Sequence, residues 1–306
     1  MRPILALRHL HQTPRRPDRV VVVGAGGFVG KAIADRLERD AVEVLRLSRS
    51  NVDLLAPDAA DRLSGHLRDG DVLVASAAIA PCRTALELRN NMTLALAIVQ
   101  AASRVKPSHV VNIGSDAVYA DSAAPLMETS ARAPETLHGV MHLAREIMFA
   151  DALVGILTTL RPTLIYGAGD PHNGYGPNRF RRQATMRQPI VLFGEGEERR
   201  DHVTIDDVAE IAARVIFRRS IGALNVATGV VVSFRDIAQM VASRSNHPVP
   251  VTGSARSGPM PHNGYRPFDI AASRAAFPDF AYTPLEDGLV KAVRDEAGPP
   301  HEQAAG

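Results

Sequence analysis

Two histidines spaced one helical turn apart could exchange protons with a bound molecule. His138 and His142 fall within the helical pattern 137–149, so both imidazoles share one face of a predicted helix. Imidazole has a reference pKa of about 6.5 and can accept or donate a proton near neutral pH without help. Ser115 ends a predicted strand, where its hydroxyl could hold a reacting oxygen or simply bond the backbone. These side chains predict proton-transfer chemistry.

A glycine-rich stretch predicts a cradle for the pyrophosphate of a dinucleotide. The run VVVGAGGFVG, residues 21–30, passes from β-branched residues through glycines into the helical pattern KAIADRLERD. Gly24 permits a sharp turn, Gly27 lets backbone amides approach phosphate, and Gly30 allows close packing of helix on strand. The helix N-terminus then faces the negative charge. A glycine-rich turn without a ligand is the alternative, which the flanking strand and helix disfavour.

The second predicted strand covers residues 42–47, and the residues that follow it would distinguish NADP from NAD by contacting the adenosine ribose. Ser48 and Arg49 suit a 2′-phosphate, whereas an acid there would favour a free hydroxyl. A solvated loop arginine is the alternative. Asp53 could bond the adenine amino group while Leu54 packs on the ring, although Asp53 could also cap a helix. The pattern favours NADP over NAD.

Strands and helices alternate along the chain. These elements position the serine and the two histidines named above. The alternation predicts an α/β fold, a Rossmann-like doubly wound parallel sheet covered on both faces. From residue 165 the sequence becomes rich in glycine, proline and asparagine, which indicates a smaller, interleaved substrate-binding region. We expect a mobile extension at 1–18, or an arm on a partner subunit, a dinucleotide-binding domain at 19–167, and the substrate-binding region at 168–306.

Composition excludes several classes of protein. The chain has 306 residues, 45% of them apolar, which is ample for a core. A net charge of +2, spread among acids, argues against a nucleic-acid or membrane partner. Cys82 is the only cysteine, and there is no membrane-length apolar run or evident signal peptide, so we expect a cytoplasmic protein. The pentapeptide PHNGY occurs at 171–175 and 261–265, but the similarity does not extend into a repeat.

Several blocks occur in the order typical of one enzyme family. GAGGFVG, DVLVASAA, GSDAVY, LRPTLIYG, LFGEGEERRDHVTIDDVA, NVATG and RPFD resemble the extended short-chain dehydrogenases/reductases, over residues 20–295. The resemblance implies an NAD(P)-dependent epimerase or dehydratase of nucleotide sugars. It makes Ser115 one of three proton-handling residues, with a tyrosine and a lysine as the others. It also implies cofactor contacts from Phe28, Val29, Ala77, Ala78, Asn91, His142 and Pro162.

The chain departs from this family where the tyrosine and lysine are expected, because His138 and His142 stand there. In one interpretation His138 does the tyrosine's work and His142 bonds the cofactor ribose. In a second, the protein binds a dinucleotide and a sugar nucleotide but does not turn over. In a third, both histidines and Glu146 ligate a metal. A zinc-protease helix needs a glutamate where this chain has Gly139, so we predict no metal site.

By the same resemblance, four residues would hold a nucleotide diphosphate. Asn178 resembles the loop asparagine at the diphosphate, and Phe193 resembles the ring that packs against the base. Arg200 and Arg266 resemble the phosphate clamps, a task that suits the planar guanidinium fork. A homodimer is also implied, through the helices that contain Asn91 and His142.

Asp116 would face the substrate and helps to separate the possible reactions. By the same resemblance, the dehydratases of this family have the triplet Thr-Asp-Glu at this point. This chain has Ser115-Asp116-Ala117 instead, and Ala117 cannot move a proton. Dehydration is therefore disfavoured. We predict a nucleotide-sugar epimerase that works by transient hydride transfer, with a keto-sugar reductase or a catalytically silent binding protein as alternatives.

Overall fold

The structure, a computed structural model, describes residues 6–297. Its strands are β1 (Arg8–His9), β2 (Arg19–Val23), β3 (Glu43–Leu47), β4 (Val72–Ala75), β5 (His109–Ile113), β6 (Leu157–Pro162), β7 (Leu164–Tyr166), β8 (Ile190–Phe193), β9 (Arg199–Thr204), β10 (Ser220–Val226), β11 (Val231–Ser233), β12 (Val251–Ser254) and β13 (Tyr265–Arg266). Its helices are α1 (Phe28–Arg39), α2 (Ala59–His66), α3 (Ala85–Val105), α4 (Leu137–Ala152), α5 (Pro177–Thr185), α6 (Ile205–Phe217), α7 (Phe234–Ser243), α8 (Ala271–Ala276) and α9 (Leu285–Ala297).

The central sheet has seven strands, in the order β1-β10-β6-β5-β4-β2-β3. Every neighbouring pair is parallel except β1 with β10. Val20 and Val22 of β2 pack in the same cluster as α1 and α6, whereas Val21 and Val23 pack with α2 and α3. Apolar residues on both faces are what a parallel sheet covered by helices requires. The predicted Rossmann-like doubly wound fold is confirmed, and its strand order reverses between β2 and β4.

A smaller region lies beyond the central sheet and is interleaved with it in sequence. It contains a four-stranded sheet of β7, β9, β11 and β13, and a pair formed by β8 and β12. Its own core includes Phe180, Leu192 and Phe234. β10 and α6 follow residue 168 yet belong to the central sheet and its helical layer, so the chain returns from one region to the other. The domain boundary at residue 167 stays a prediction.

The N-terminal segment differs from the mobile extension that the sequence predicted. Arg8–His9 form β1, which pairs antiparallel with β10 at the edge of the central sheet. The His9 ring is hydrogen-bonded to Ser220 Oγ at 2.8 Å. A two-residue strand is too short to show alternation, and the basic, proline-containing composition conceals it. Residues 1–5 of the predicted extension lie outside the described residues. Within residues 6–297, no helix is long and apolar enough to cross a membrane.

Candidate active site

One cavity of about 900 Å³ lies at the carboxyl ends of the central parallel strands. This is where doubly wound sheets bind ligands, beside the point at which the strand order reverses. The predicted site residues that line it are Gly24, Gly27, Phe28, Val29, Gly30, Ala78, Ser115, Asp116, His138, His142, Pro162, Asn178 and Arg200. The others stand behind or outside its walls, and they are Ser48, Arg49, Asp53, Leu54, Ala77, Asn91, Phe193 and Arg266.

The glycine loop after β2 has the shape of a phosphate cradle. Gly24 adopts a φ of +93°, and a Cβ there would lie 2.6 Å from the backbone nitrogen of Ala77. A Cβ at Gly30 would lie 2.3 Å from the Gly24 carbonyl oxygen. α1 begins directly after Gly27, and no side chain caps its first turn, so its amide N–H groups remain for an anion. The loop therefore fits the pyrophosphate of a dinucleotide.

Gly30→Ala should lower the free energy of unfolding by about 2 kcal/mol, because its new methyl group meets backbone that cannot move away. Gly26→Ala is the matched control, since a Cβ there would lie 3.5 Å from the nearest side-chain atom, Ser48 Cβ, in ordinary contact. Urea unfolding of both variants measures the difference. Equal stability of the two would contradict the close packing of α1 on the loop.

The predicted adenosine contacts lie at the end of β3. Ser48 is close to the glycine loop, beside Gly26. The Arg49 side chain is 80% exposed, and its guanidinium lies 3.3 Å from the Asp53 carboxylate. Leu54 is only 6% exposed and belongs to the hydrophobic core, and its packing against an adenine ring stays a prediction. Arg49 is therefore exposed enough to reach a ligand by leaving its surface ion pair with Asp53, whereas Leu54 packs in the core.

Ala77 and Asn91 shape the cavity wall from behind. The Asn91 side chain accepts a hydrogen bond from the Ile79 amide and donates one to the Ile79 carbonyl, both at 2.9 Å. The Ala77 carbonyl accepts a hydrogen bond from Arg145. Together these bonds hold the turn that presents Ala78 to the cavity.

A close contact brings the start of α4 against the turn that follows β5. A Cβ at Gly139 would lie 2.2 Å from the carbonyl oxygen of Ala117, so only glycine allows this approach. Thr136 caps the helix by accepting a hydrogen bond from the Gly139 amide at 3.1 Å. As a result, His138 and Ser115 line the same cavity.

The two imidazoles meet edge to face, with their centroids 4.7 Å apart. Nδ1 of His138 accepts a hydrogen bond from the Cys82 amide at 3.4 Å, which leaves the proton of the neutral ring on Nε2. Burial lowers the pKa of His138, although the Asp116 carboxylate opposes this. Burial also lowers the pKa of His142 to well below its usual value, with further lowering by His138 and Arg145. His142 is therefore uncharged at neutral pH.

Arg266 does not line the cavity and differs from the predicted phosphate clamp. It is 1% exposed, and its Nε donates to the Asp116 carboxylate at 2.9 Å. β13 pairs with β9 so that Arg266 lies beside Arg200, whose Nη2 is 3.8 Å from the same carboxylate. Arg200 lines the cavity. Arg266 thus holds Asp116 in place, and Arg200 is the arginine left to meet a ligand.

Ser115 and Asn178 both line the cavity but also bond to the backbone. Ser115 Oγ accepts a hydrogen bond from the Ala117 amide at 3.1 Å. The Asn178 side chain accepts one from the Gly167 amide at 3.0 Å, which holds the loop after β7. Phe193 is half-exposed and stacks on Tyr175 at 4.4 Å, outside the cavity lining.

Both copies of the PHNGY pentapeptide contribute to the same cavity. His172 and Gly174 line it from the first copy, and 261–263 line it from the second. The asparagine of each copy has a left-handed backbone, with φ of 50° at Asn173 and 51° at Asn263. The two copies thus place the same short sequence, with a left-handed asparagine in each, around one site.

A family model described as the NAD dependent epimerase/dehydratase family matches residues 20–227. The chain belongs to this family. It is 30% identical to a dTDP-L-rhamnose 4-epimerase of Burkholderia thailandensis, over 42% of this chain and 38% of that protein. It is 24% identical to a dTDP-6-deoxy-L-talose 4-dehydrogenase (NAD(P)(+)) of Kitasatospora kifunensis, over 91% of this chain and 94% of that protein. A GDP-L-fucose synthetase structure from Naegleria fowleri, bound to NADP, shares the fold with a TM-score of 0.79 at 17% identity, covering 94% and 95%.

In this chain Glu146 has a structural role. Glu146 accepts hydrogen bonds from Nε and Nη2 of Arg161, both at 2.8 Å, and pairs with Arg132. Its carboxylate is therefore engaged and does not complete a metal site with His138 and His142. Among residues 6–297, no group of three or more histidine, cysteine or acidic side chains is placed to hold a metal.

Sequence reasoning missed three features of this family member's site. Arg145 lies behind the cavity wall, the Cys82 amide sets the tautomer of His138, and Asp121 bonds His262 at 2.5 Å. Only Arg145 left a local signal, because it falls on the buried stripe of α4. The other two depend on loops that the fold brings together.

Proposed function

We propose that this protein transfers hydride between NAD(P) and one sugar carbon of a nucleotide sugar, and that its net reaction is reduction of a keto sugar. The observation that carries this proposal is the Cys82 amide bonded to Nδ1 of His138, which leaves Nε2–H as the proton-bearing nitrogen. Reduction needs a proton donor at the new hydroxyl, whereas oxidation needs a free base.

His138 then acts as the proton donor: the alkoxide that hydride addition would form takes the Nε2 proton, and the ring regains a proton from solvent water. A neutral imidazole can polarise a carbonyl through its N–H group when its pKa is lowered, and burial lowers the pKa of His138. Ser115, on the facing turn, would hold the same oxygen through its hydroxyl. When bound, nicotinamide would supply the hydride that the protein itself cannot provide.

The substrate is proposed to be a sugar linked to a nucleotide diphosphate. Arg200 is the arginine that lines the cavity, and a guanidinium gives phosphate oxygens two parallel hydrogen bonds. Asn178 stands in the same lining. A cavity of about 900 Å³ is within the size range of known small-molecule and cofactor sites. The curated relatives named above act on dTDP-sugars, which supports this class of substrate.

Epimerisation is the second candidate. The sugar carbon would first lose its hydride to the dinucleotide and then regain it. The carbon is inverted if the keto sugar rotates in the site between the two steps, so that the hydride returns to the opposite face. Ala117 and the engaged Asp116 carboxylate supply no second acid for dehydration, which leaves epimerisation as the other outcome. The Burkholderia relative, a 4-epimerase, supports it over part of the chain.

We also propose a homodimer. α3 and α4 pack side by side on one face of the sheet, and both expose large apolar side chains. Exposed apolar residues on neighbouring helices are typical of an interface between copies. The exposed side chains are Leu86, Leu96, Leu137, Val140 and Ile147.

Arg49→Ala should weaken NADP binding by about tenfold and leave NAD binding nearly unchanged, because a hydrogen bond to a charged phosphate is lost. Arg68→Ala, another exposed arginine, is the control and should change neither affinity. Equilibrium titration of the protein with each dinucleotide measures both. If the protein bound NAD with no affinity for NADP, the role given to Arg49 would be refuted.

A panel experiment separates the proposed reactions. The purified protein is incubated with each dinucleotide in turn, NADPH or NADH with keto-sugar nucleotides and NADP or NAD with hydroxy-sugar nucleotides. Loss of reduced-nicotinamide absorbance with a reduced sugar product supports reduction, and an isomerised sugar without net absorbance change supports epimerisation. Dinucleotide binding without conversion of any sugar on a broad panel would favour a silent binding protein.

A further inference from the structure

Arg145 is a buried cation whose hydrogen-bond partners are all uncharged oxygens. Its side chain is 1% exposed. Nε donates to Asn112 Oδ1 and Nη2 donates to the Ala75 carbonyl, both at 2.7 Å, while Nη1 donates to the Ala77 carbonyl at 2.5 Å. Burial lowers the pKa of Arg145 to about 10, so it is still charged at neutral pH.

The other fully buried arginines of the described residues are treated differently. Arg161, Arg181 and Arg266 each form an ion pair with a carboxylate, and so do the nearly buried Arg19 and Arg200. A buried charge without a counter-ion costs free energy that a neutral side chain would not. Among the buried arginines of residues 6–297, Arg145 alone lacks a carboxylate partner, and it lies next to the candidate active site, which points to a use for the charge itself.

The position of Arg145 gives it two possible effects. It follows His142 by three residues, so the two side chains are neighbours on α4. Its carbonyl partners lie at the end of β4 and in the turn that leads to Ala78 of the cavity wall. The guanidinium therefore ties the histidine-bearing helix to that wall, and its field reaches His142.

Several charged and titratable groups surround His142, and Arg145 is the neighbour whose charge does not change near neutral pH. Burial lowers the pKa of His142 the most, and His138 and then Arg145 lower it further. Asp116, on the turn packed against α4, acts on His138. Glu146 forms an ion pair with Arg161, so the negative charge of Glu146 is compensated by that guanidinium. Among these groups Arg145 alone is a permanent charge without a partner of opposite sign.

We propose that Arg145 is a positioning residue that holds α4 against the cavity wall and whose uncompensated charge adds to burial in keeping His142 uncharged. The inference rests on the proposed role of the α4 histidines in the site. A neutral His142 can donate and accept hydrogen bonds to a cofactor without adding a charge that follows pH. The permanent charge then stands behind the wall, in a group that does not titrate near neutrality.

Asn112→Asp tests the charge with almost no change of shape. The new carboxylate would face Nε of Arg145 and neutralise it. The midpoint of His142, followed by NMR of its ring C–H and assigned with His142→Gln, should rise by about one pH unit. Asn112→Leu, which removes the amide oxygen without adding charge, is the matched control and should leave the midpoint unchanged. An unchanged midpoint in folded Asn112→Asp protein would overturn the proposal.

Two further variants keep the test decisive if Asn112→Asp does not fold. Arg145→Lys keeps the charge and should keep the low midpoint of His142, while Arg145→Gln should raise it. If both variants gave the same midpoint, Arg145 would be a brace only. These titrations use protein without cofactor or substrate, so they stand apart from the activity panel. A shifted midpoint of His142 together with no turnover on the panel would contradict the proposed function and still support the role given to Arg145.

Discussion

His138→Phe should lower kcat for keto-sugar reduction by about 10²- to 10⁴-fold, the usual contribution of a positioned proton donor. Phenylalanine retains a flat ring beside His142 but cannot donate a proton. The dinucleotide dissociation constant should stay within about threefold, because the phosphate cradle lies on α1 and its loop. Steady-state kinetics and equilibrium dinucleotide titration measure the two quantities.

The control for this variant is His247→Phe, which replaces an exposed imidazole outside the cavity lining. The kcat of this control should remain within a few-fold of the parent. Thermal unfolding checks that both variants are folded. Full activity in His138→Phe would rule out His138 as the proton donor and return attention to Ser115.

Glu146→Gln should lower the free energy of unfolding by about 3–5 kcal/mol, the range found when one partner of a buried ion pair is removed. Glu146 is 4% exposed, and it faces Arg161, which is 1% exposed. The substitution keeps the shape but leaves the Arg161 guanidinium without its carboxylate. Urea unfolding of the protein without cofactor measures the change.

Two comparisons make the Glu146 result specific. Asp61→Asn breaks the exposed ion pair with Arg104 and should cost no more than about 1 kcal/mol. The double variant Glu146→Leu with Arg161→Met should recover much of the lost stability, since buried ion pairs can be replaced by apolar pairs at little cost. If Glu146→Gln were as stable as Asp61→Asn, the buried pair would not brace α4 against β6.

Local patterns were sufficient for much of the architecture. The glycine spacing from Gly24 to Gly30 predicts the turn and the start of α1, because close backbone approach demands glycine there. Alternating strand and helix patterns predict the doubly wound sheet. The spacing of His138 and His142 places both on one face of α4, and the structure brings both to the cavity. Each of these features depends on residues close together in the chain.

Pairings across the fold needed the tertiary structure. The sequence blocks suggested Arg266 as a phosphate clamp, but strand register beside Arg200 turns it inward to Asp116, which is 150 positions away. Arg8–His9 were assigned to a mobile extension and form an edge strand. Such outcomes depend on which distant surface meets the residue, and no local pattern carries that information.

The sequence by itself therefore determined the fold class, the glycine turn before α1 and the placing of His138 and His142 on one face of α4. Only the tertiary structure decided the state of those histidines. The Cys82 amide reaches His138 across 56 positions, and Arg145 is buried against oxygens 33 to 70 positions away. The physical reason is that a pKa or a tautomer depends on burial and on the nearest charges and donors. Those neighbours are set by packing, whereas helical and strand periodicity is set by the chain.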